Sequence, residues 1–212
     1  MEFKAKIYTK DNSLPFYKKW DNSELLSWIS LSIAMISILI LLGNDKYLNK
    51  NDIIEDVFKN ISYISLGILL ISIVMRFGEY EKLKGKLEGE ISFEENGIKI
   101  NENLYLFSEI KNLDIYYGNK YGSITGKSNG AFLSQGLKNH ISFYCNSKLI
   151  ETNFQLYTNS QSDAIKEDLY YYVINEVFPF EKKNLSFIDK KFHNHTLYKE
   201  FIEKMKREGK LT

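Results

Sequence analysis

The chain has 212 residues, 44% of them apolar and 26% charged, with a formal net charge of +1. That length suits one medium domain, or a smaller domain with an appendage, and the near-neutral balance gives no global signature of nucleic-acid binding. A single cysteine, Cys145, excludes an internal disulfide framework and a four-cysteine zinc site; it reads as a small core residue in a reducing compartment.

Residues 1–23 form a polar, lysine-rich segment that is expected to be cytoplasmic. Residues 25–43, LLSWISLSIAMISILILLG, carry no charge and approach the length of about 20 residues that a helix needs to cross hydrocarbon. A second uncharged run, ISYISLGILLISIVM at 61–75, reaches a sufficient length as 58–77, with Lys59 and Arg76 snorkelling from its ends. Together they form an expected transmembrane hairpin over 24–77. The rest of the chain is too short to surround two helices that are apolar on every face. A secretory signal is excluded by the long polar preface and the lack of a small-x-small cleavage site. Lys4, Lys6, Lys10, Lys18 and Lys19 precede the first span and Arg76, Lys82, Lys84 and Lys86 follow the second, against Lys46 and Lys50 between them. The positive-inside rule therefore places both termini in the cytoplasm of a multi-pass inner-membrane protein. Abundant Lys, Asn, Ile and Tyr with two prolines suit an AT-rich bacterial genome.

Ser27, Ser30, Ala34 and Ser37 in the first span, and Ser62, Ser65 and Ser72 in the second, each lie on one helix face at spacings of three, four and seven. Such faces let helices approach closely in lipid. An intramolecular seam is the plain reading; an oligomer interface or a polar pore lining is the alternative. Neither span has an interior Asp, Glu, Lys, Arg or His to mark an ion path.

After the connector GEYEKLKGKLEG the hydrophobic period becomes alternating. In EISFEENGIKI, Asn96-Gly97 is expected to turn a hairpin that puts Ile91, Phe93, Ile98 and Ile100 on one face and pairs Glu94 with Lys99 on the other. A short strand is expected at 104–107. Further alternation runs through Leu113, Ile115 and Tyr117, through Ile141, Phe143 and Cys145, and through Ile150, Phe154 and Leu156, with a turn at 146–148. The period then turns helical over 162–178, with Ser162 as the expected N-cap, a stripe of Ile165, Leu169, Tyr172, Val173 and Val177, and Pro179 at its end. A last helix over about 196–208 places Leu197, Phe201 and Met205 at one face of a basic tail, 181–212, able to adhere to an anionic leaflet. The predicted fold class is α+β: a two-helix transmembrane hairpin, an antiparallel curled sheet or barrel over 86–180 closed by an amphipathic helix, and a C-terminal helix.

This order of elements resembles the bacterial membrane proteins that carry a pleckstrin-homology-like domain after two transmembrane helices. The resemblance covers 24–178, with GEISFEENGIKI as first hairpin, LFSEIKNLDIYYG as following strands and 162–178 as terminal helix. It implies a binding or scaffolding module and no catalysis. Glu88, Glu90, Glu94 and Glu95 stand where phosphoinositide-binding members use basic residues, and both tryptophans, Trp20 and Trp28, fall outside the terminal helix. Lipid-headgroup specificity therefore does not carry over.

The connection from Gly118 to Lys138, GNKYGSITGKSNGAFLSQGLK, imitates a phosphate-binding loop through Gly126-Lys127-Ser128. The motif's first glycine position is Tyr121, Gly122 comes one residue late, and NGAFLSQG leads to a strand and not a helix. The nucleotide reading falls. This acid-free loop is either a plain inter-strand excursion or a contact for anionic headgroups or a partner through Lys120, Lys127 and Lys138. His193 and His195 lie close together without further metal ligands, and Cys145 points inward while His140 points outward. No catalytic residue, metal or cofactor is assigned. The expected function is a non-enzymatic, membrane-anchored binding, scaffold or regulatory protein; the alternative is an oligomerising two-span effector or channel regulated by its soluble domain. Expected partners are the bilayer and a protein or a second copy of the chain, not nucleic acid.

Overall fold

The structure, a computed structural model, describes residues 3–47 and 51–211. Lys50 lies outside the described residues, as do the side chains of Asp45 and Lys46. In chain order the elements are β1 (Lys4–Lys10), a 3-10 turn (Phe16–Lys19), α1 (Asn22–Tyr47), α2 (Asp52–Met75), β2 (Gly85–Glu94), β3 (Gly97–Ile100), β4 (Asn103–Leu106), β5 (Lys111–Tyr116), β6 (Tyr121–Ile124), β7 (Leu133–Gln135), β8 (Asn139–Cys145), β9 (Lys148–Gln155), α3 (Asn159–Ile174) and α4 (Thr196–Arg207). The chain divides into a sheet unit (1–11, 85–121 and 136–212) and a hairpin unit (12–84 and 122–135).

The sheet unit is α+β. Its seven antiparallel strands lie in the order β4-β3-β2-β1-β9-β8-β5, an open sheet with β4 and β5 at its edges. The expected barrel closure is not seen. β1 occupies an interior position, pairing with β2 (Lys4 opposite Ser92, Lys10 opposite Gly85) and with β9 (Ile7 opposite Phe154). Phe3, Ala5 and Ile7 are buried while Lys4 and Lys6 alternate with them, the period-2 pattern of a half-buried strand. The N-terminal segment thus opens the sheet, and residues 12–84 are inserted between two of its paired strands.

The β2–β3 hairpin keeps Ile91 opposite Ile100 and Phe93 opposite Ile98 as expected, but its turn is Glu95-Asn96, not Asn96-Gly97. Glu94 faces Gly97, and Lys99 faces Ser92. Gly97 is a strand residue because a Cβ there would overlap the Tyr105 carbonyl of β4: close approach, not turn geometry, requires it. The β8–β9 hairpin turns on Asn146 (φ 50°) and Ser147 (φ 63°), left-handed residues of the primed kind that suits a two-residue hairpin.

α3 starts earlier than expected. Thr158 is the N-cap, accepting from the Gln161 N–H while the Gln161 side chain accepts from the Thr158 N–H, a reciprocal box that leaves Ser162 buried inside the helix. The helix ends at Ile174, well before Pro179, and Glu176 takes φ 49° just beyond it. Ile165, Leu169, Tyr172 and Val173 join the core against Phe93, Phe107, Phe143 and Phe154. The Phe3 N–H donates to Asp168, tying the start of β1 to α3.

The segment from 181 onward is also built into this core, through Phe187, Ile188, Phe192, Phe201 and Met205. Leu197, expected on the same face as Phe201 and Met205, is 59% exposed. Phe201→Ala is therefore expected to destabilise the sheet unit by about 3–5 kcal/mol through loss of buried area and a residual cavity. Leu197→Ala should stay within about 0.5 kcal/mol. Denaturant midpoints followed by circular dichroism would separate the two, and equal shifts would contradict this packing.

In the hairpin unit, α1 and α2 are long and apolar enough to cross a membrane, with 17% and 11% of their most apolar stretches buried. The buried share includes the small-residue seam: Ser30, Ala34, Ser37, Ser65 and Ser72 are buried, Ser62 is half-buried, and the Ser27 and Ser72 hydroxyls lie 2.7 Å apart. The Ser30 and Ser37 hydroxyls donate to the carbonyls of Leu26 and Ile33, so their polar groups are satisfied within the helix. Buried Asn44 closes the turn between the helices, donating to the Asn51 carbonyl and accepting from its N–H, while Asn51 caps α2.

Candidate functional site

The hairpin unit gathers its charged groups where α1 begins and α2 ends. The first N–H groups of a helix have no partners in their own helix. Those of Asn22 and Ser23 donate to the carboxylate of Glu79 at 2.6 and 3.0 Å, so an acid just after α2 caps the positive end of α1. Asp21, fully buried, is thereby released from capping its own helix. Its oxygens accept from the Lys82 N–H (2.9 Å), the Ala131 N–H (3.1 Å) and the Lys127 ammonium (3.2 Å). Lys127 also meets Glu81 at 2.9 Å, and Glu81 accepts from the Ser134 hydroxyl.

The glycine-rich segment 122–135 forms around this cluster. β6 and β7 pair with each other, and Tyr80 bridges Leu133 in parallel. The Arg76 guanidinium donates to the carbonyls of Lys127 and Ser128, and the Phe132 N–H to the carbonyl of Arg76. Thr125 braces the bend by donating to the Ala131 carbonyl. Gly130 takes φ 80°, and a Cβ on it would press against the Asp21 carboxylate. Gly126 takes φ 70° with nothing within 4 Å. Gly130→Ala should therefore lower the stability of this unit by more than about 1–2 kcal/mol, through strain plus collision. Gly126→Ala meets the strain alone and should do less. Thermal unfolding followed by Trp fluorescence would test the order, which a larger loss at Gly126 would reverse.

Burial pushes the Asp21 carboxyl up, but the two backbone N–H groups and the Lys127 charge outweigh it and hold its pKa below the usual carboxylate range. Burial likewise opposes the charge on Lys127, yet the hydrogen bond to Glu81 and the charges of Asp21 and Glu81 raise its pKa. The loop that imitates a phosphate cradle thus has its lysine and a backbone N–H turned on a carboxylate of its own chain.

Of the three lysines singled out from the sequence, only Lys127 belongs to this cluster. Lys120 and Lys138 are in the sheet unit, where Lys120 bridges Leu156 and the Lys138 N–H donates to Asn119. Buried Asn139 donates to the carbonyls of Asn119 and Gly136 and accepts from the Asn119 N–H, so the two ends of the excursion are stitched together there. Asp21 carries no role in the sequence pattern, Glu79 and Glu81 stand there as connector charges, and Arg76 as a snorkelling residue that marks membrane sidedness. The available signal was three acids set against the ends of two apolar helices, on the side otherwise marked by lysines.

Cys145 is buried on β8, and burial raises its pKa with further help from Glu109, 3.6 Å away, so the thiol stays protonated. His193 stacks on Tyr198, and His195 sits edge-on to Tyr170 and Phe192. Among the described residues no three His, Cys, Asp or Glu side chains are grouped to hold a metal. No protein-family model, curated protein or solved structure matches the chain.

Proposed function

We propose that this chain is a membrane-anchored, non-enzymatic binding or regulatory protein, with a two-span hairpin in the inner membrane and a pleckstrin-homology-like unit in the cytoplasm. The observation that carries this reading is the pairing of Lys10 with Gly85 on either side of a bare apolar hairpin. Paired strands at the two ends of the inserted hairpin support an even number of crossings. Ile36, Leu39, Leu42, Ile64, Leu70 and Val74 are all more than half exposed. At about 1.5–3 kcal/mol per buried side chain of this size, such surfaces favour lipid over water. Antiparallel strands followed by an amphipathic helix support the pleckstrin-homology-like reading. Its two open sheet edges suit recognition of a protein partner by strand addition.

The alternative, an oligomerising effector or channel, needs a second face for close helix contact. The small residues of the described seam are already engaged within the hairpin.

The test combines alkaline extraction of membranes with protease protection of tags at the two ends. The protein is expected to stay with the membrane and both tags to share one sidedness. Release by alkali would overturn the anchor, and tags on opposite sides would overturn the two-span topology. A detergent-extracted protein that is strictly monomeric and captures no partner would remove the binding reading while leaving the anchor standing.

A further inference from the structure

We infer that the segment Pro15–Trp20, together with Trp28, forms an interfacial anchor that docks on the anionic headgroups of the bilayer; this rests on the membrane reading of the hairpin. The sequence PFYKKW folds as a 3-10 turn in which the Lys18 N–H donates to the Pro15 carbonyl. Phe16 is 67% exposed and Tyr17 59%, in a 3-10 segment that has no buried residue. Isolated aromatic rings are ordinary on a surface, but these are ordered into a row. Phe16 meets Trp20 edge-on at 4.4 Å, and Trp20 stacks on Trp28 at 6.4 Å and 29°.

The row has a defined level along the hairpin. Asn22 opens α1, and Trp28 lies six residues further on, about 9 Å along the axis. A helical side chain leans toward the N-terminus, so the Trp28 ring returns toward Trp20. The band therefore falls within the outermost turns of the span, the depth at which Trp and Tyr collect in bilayers. α2 ends at the same level, because Glu79 caps α1, and there Phe77 is 57% exposed and packs against Phe132 at 5.2 Å. The aromatic band thus continues the apolar surface of both helices at one end.

The exposed charges at this level are two lysines, while Glu24 in the first turn of α1 and Glu79 are half-buried. Lys18 and Lys19 are exposed in the last turn of the 3-10 segment, with Lys19 donating to the Asn12 carbonyl. The neighbouring acids Asp21, Glu79 and Glu81 are turned onto backbone N–H groups and Lys127. Aromatic rings beside exposed lysines, with Asp21, Glu79 and Glu81 engaged within the protein, complement a layer of anionic phospholipid headgroups. A protein partner would have no need of a row matched to the depth of the span.

Trp20 and Trp28 are the two tryptophans of the whole chain, so its fluorescence reports on this band alone. Full-length protein would be reconstituted into phosphatidylcholine vesicles with and without phosphatidylglycerol, floated, and quenched by aqueous acrylamide or by lipids labelled near the headgroup or at the chain end. Expected are co-flotation, stronger quenching from the headgroup level than from the bilayer centre, and shielding from acrylamide that grows with phosphatidylglycerol. Lys18→Glu with Lys19→Glu should float equally well and lose that dependence on anionic lipid, about fivefold for each lysine. Protein that fails to float overturns the membrane reading and this inference with it. Protein that floats with both tryptophans open to acrylamide, whatever the headgroups, overturns the inference alone and turns the row toward a protein occupant. Anionic dependence that survives the double substitution also overturns it.

Discussion

Removing residues 12–84 and 122–135, and joining the cut ends by short turns, is expected to yield a water-soluble protein that unfolds cooperatively. Removing residues 1–11 from that same chain is expected to abolish folding. The first outcome follows from how the cut ends lie: Lys10 and Gly85 are already strand partners, and Tyr121 and Gly136 exchange backbone hydrogen bonds with the same residue, Leu156. Two turns therefore suffice to close the sheet unit, whose core contains no residue of the hairpin unit. The second outcome follows from the place of β1 between β2 and β9. Its loss strips Phe3, Ala5 and Ile7 from the core and leaves a ladder unpaired on both neighbours. Each large buried side chain is worth about 2–5 kcal/mol, against a typical total of about 5–15 kcal/mol. Gel filtration and thermal melts decide the matter: equal folding of the two chains would mean that β1 is dispensable.

The second large effect is expected at Asp21. Asp21→Ala leaves the Lys82 and Ala131 N–H groups without their acceptor and Lys127 with Glu81 alone. Breaking one side of a buried charge pair costs about 3–5 kcal/mol, and removing Lys127 as well should restore part of it. Trypsin reads this directly, because the cleavable bond follows Lys127, whose side chain the enzyme must first extract. Cleavage there in the full-length protein should accelerate by about a hundredfold or more in Asp21→Ala; an unchanged rate would mean that the cluster does not hold the loop. The pH dependence has a definite sign. Since the folded carboxyl titrates below its unfolded value, its stabilisation is fully present above the ordinary carboxylate range and disappears as pH falls through the lower, folded value. Lys127 contributes stability below about pH 10.4 that is lost as pH rises through its raised folded value. Protection from trypsin should accordingly persist from neutral pH down to the carboxylate range, and Asp21→Asn should remove the acid limb.

Much of the sheet was legible because alternation is a strong local signal: Ile141, Phe143 and Cys145, or Leu113 and Ile115, are buried where the period puts them. The same signal stands in Phe3, Ala5 and Ile7, but Lys4, Lys6 and Lys10, which mark membrane sidedness, also belong to the wet face of a strand. A strand separated from its partner by 75 residues gives no turn to announce it. The Asn-Gly pair misleads for the opposite reason, since the glycine there answers the close approach of the Tyr105 carbonyl from the next strand, which no turn-type rule registers. The small-residue seam was readable from spacing alone. The charge cluster was not, because its members are adjacent only after α1 and α2 fold back on each other and the loop returns from beyond residue 121. Local pattern carries no information about which buried acid a distant lysine will neutralise.

The insertion of the hairpin between two hydrogen-bonded strands also fixes an order of events. During synthesis β1 is made first, yet one of its partners appears only after both apolar helices have emerged, and the other, β9, some 140 residues later. Such distant pairings form slowly, because the intervening chain must be organised before they can close. The pairing of β1 is therefore expected to be among the last steps of folding, after the residues between it and β9 are organised. Once closed, the β1–β2 ladder joins two stretches of chain that 74 residues separate, from Lys10 to Gly85, so that opening the centre of the sheet releases both at once.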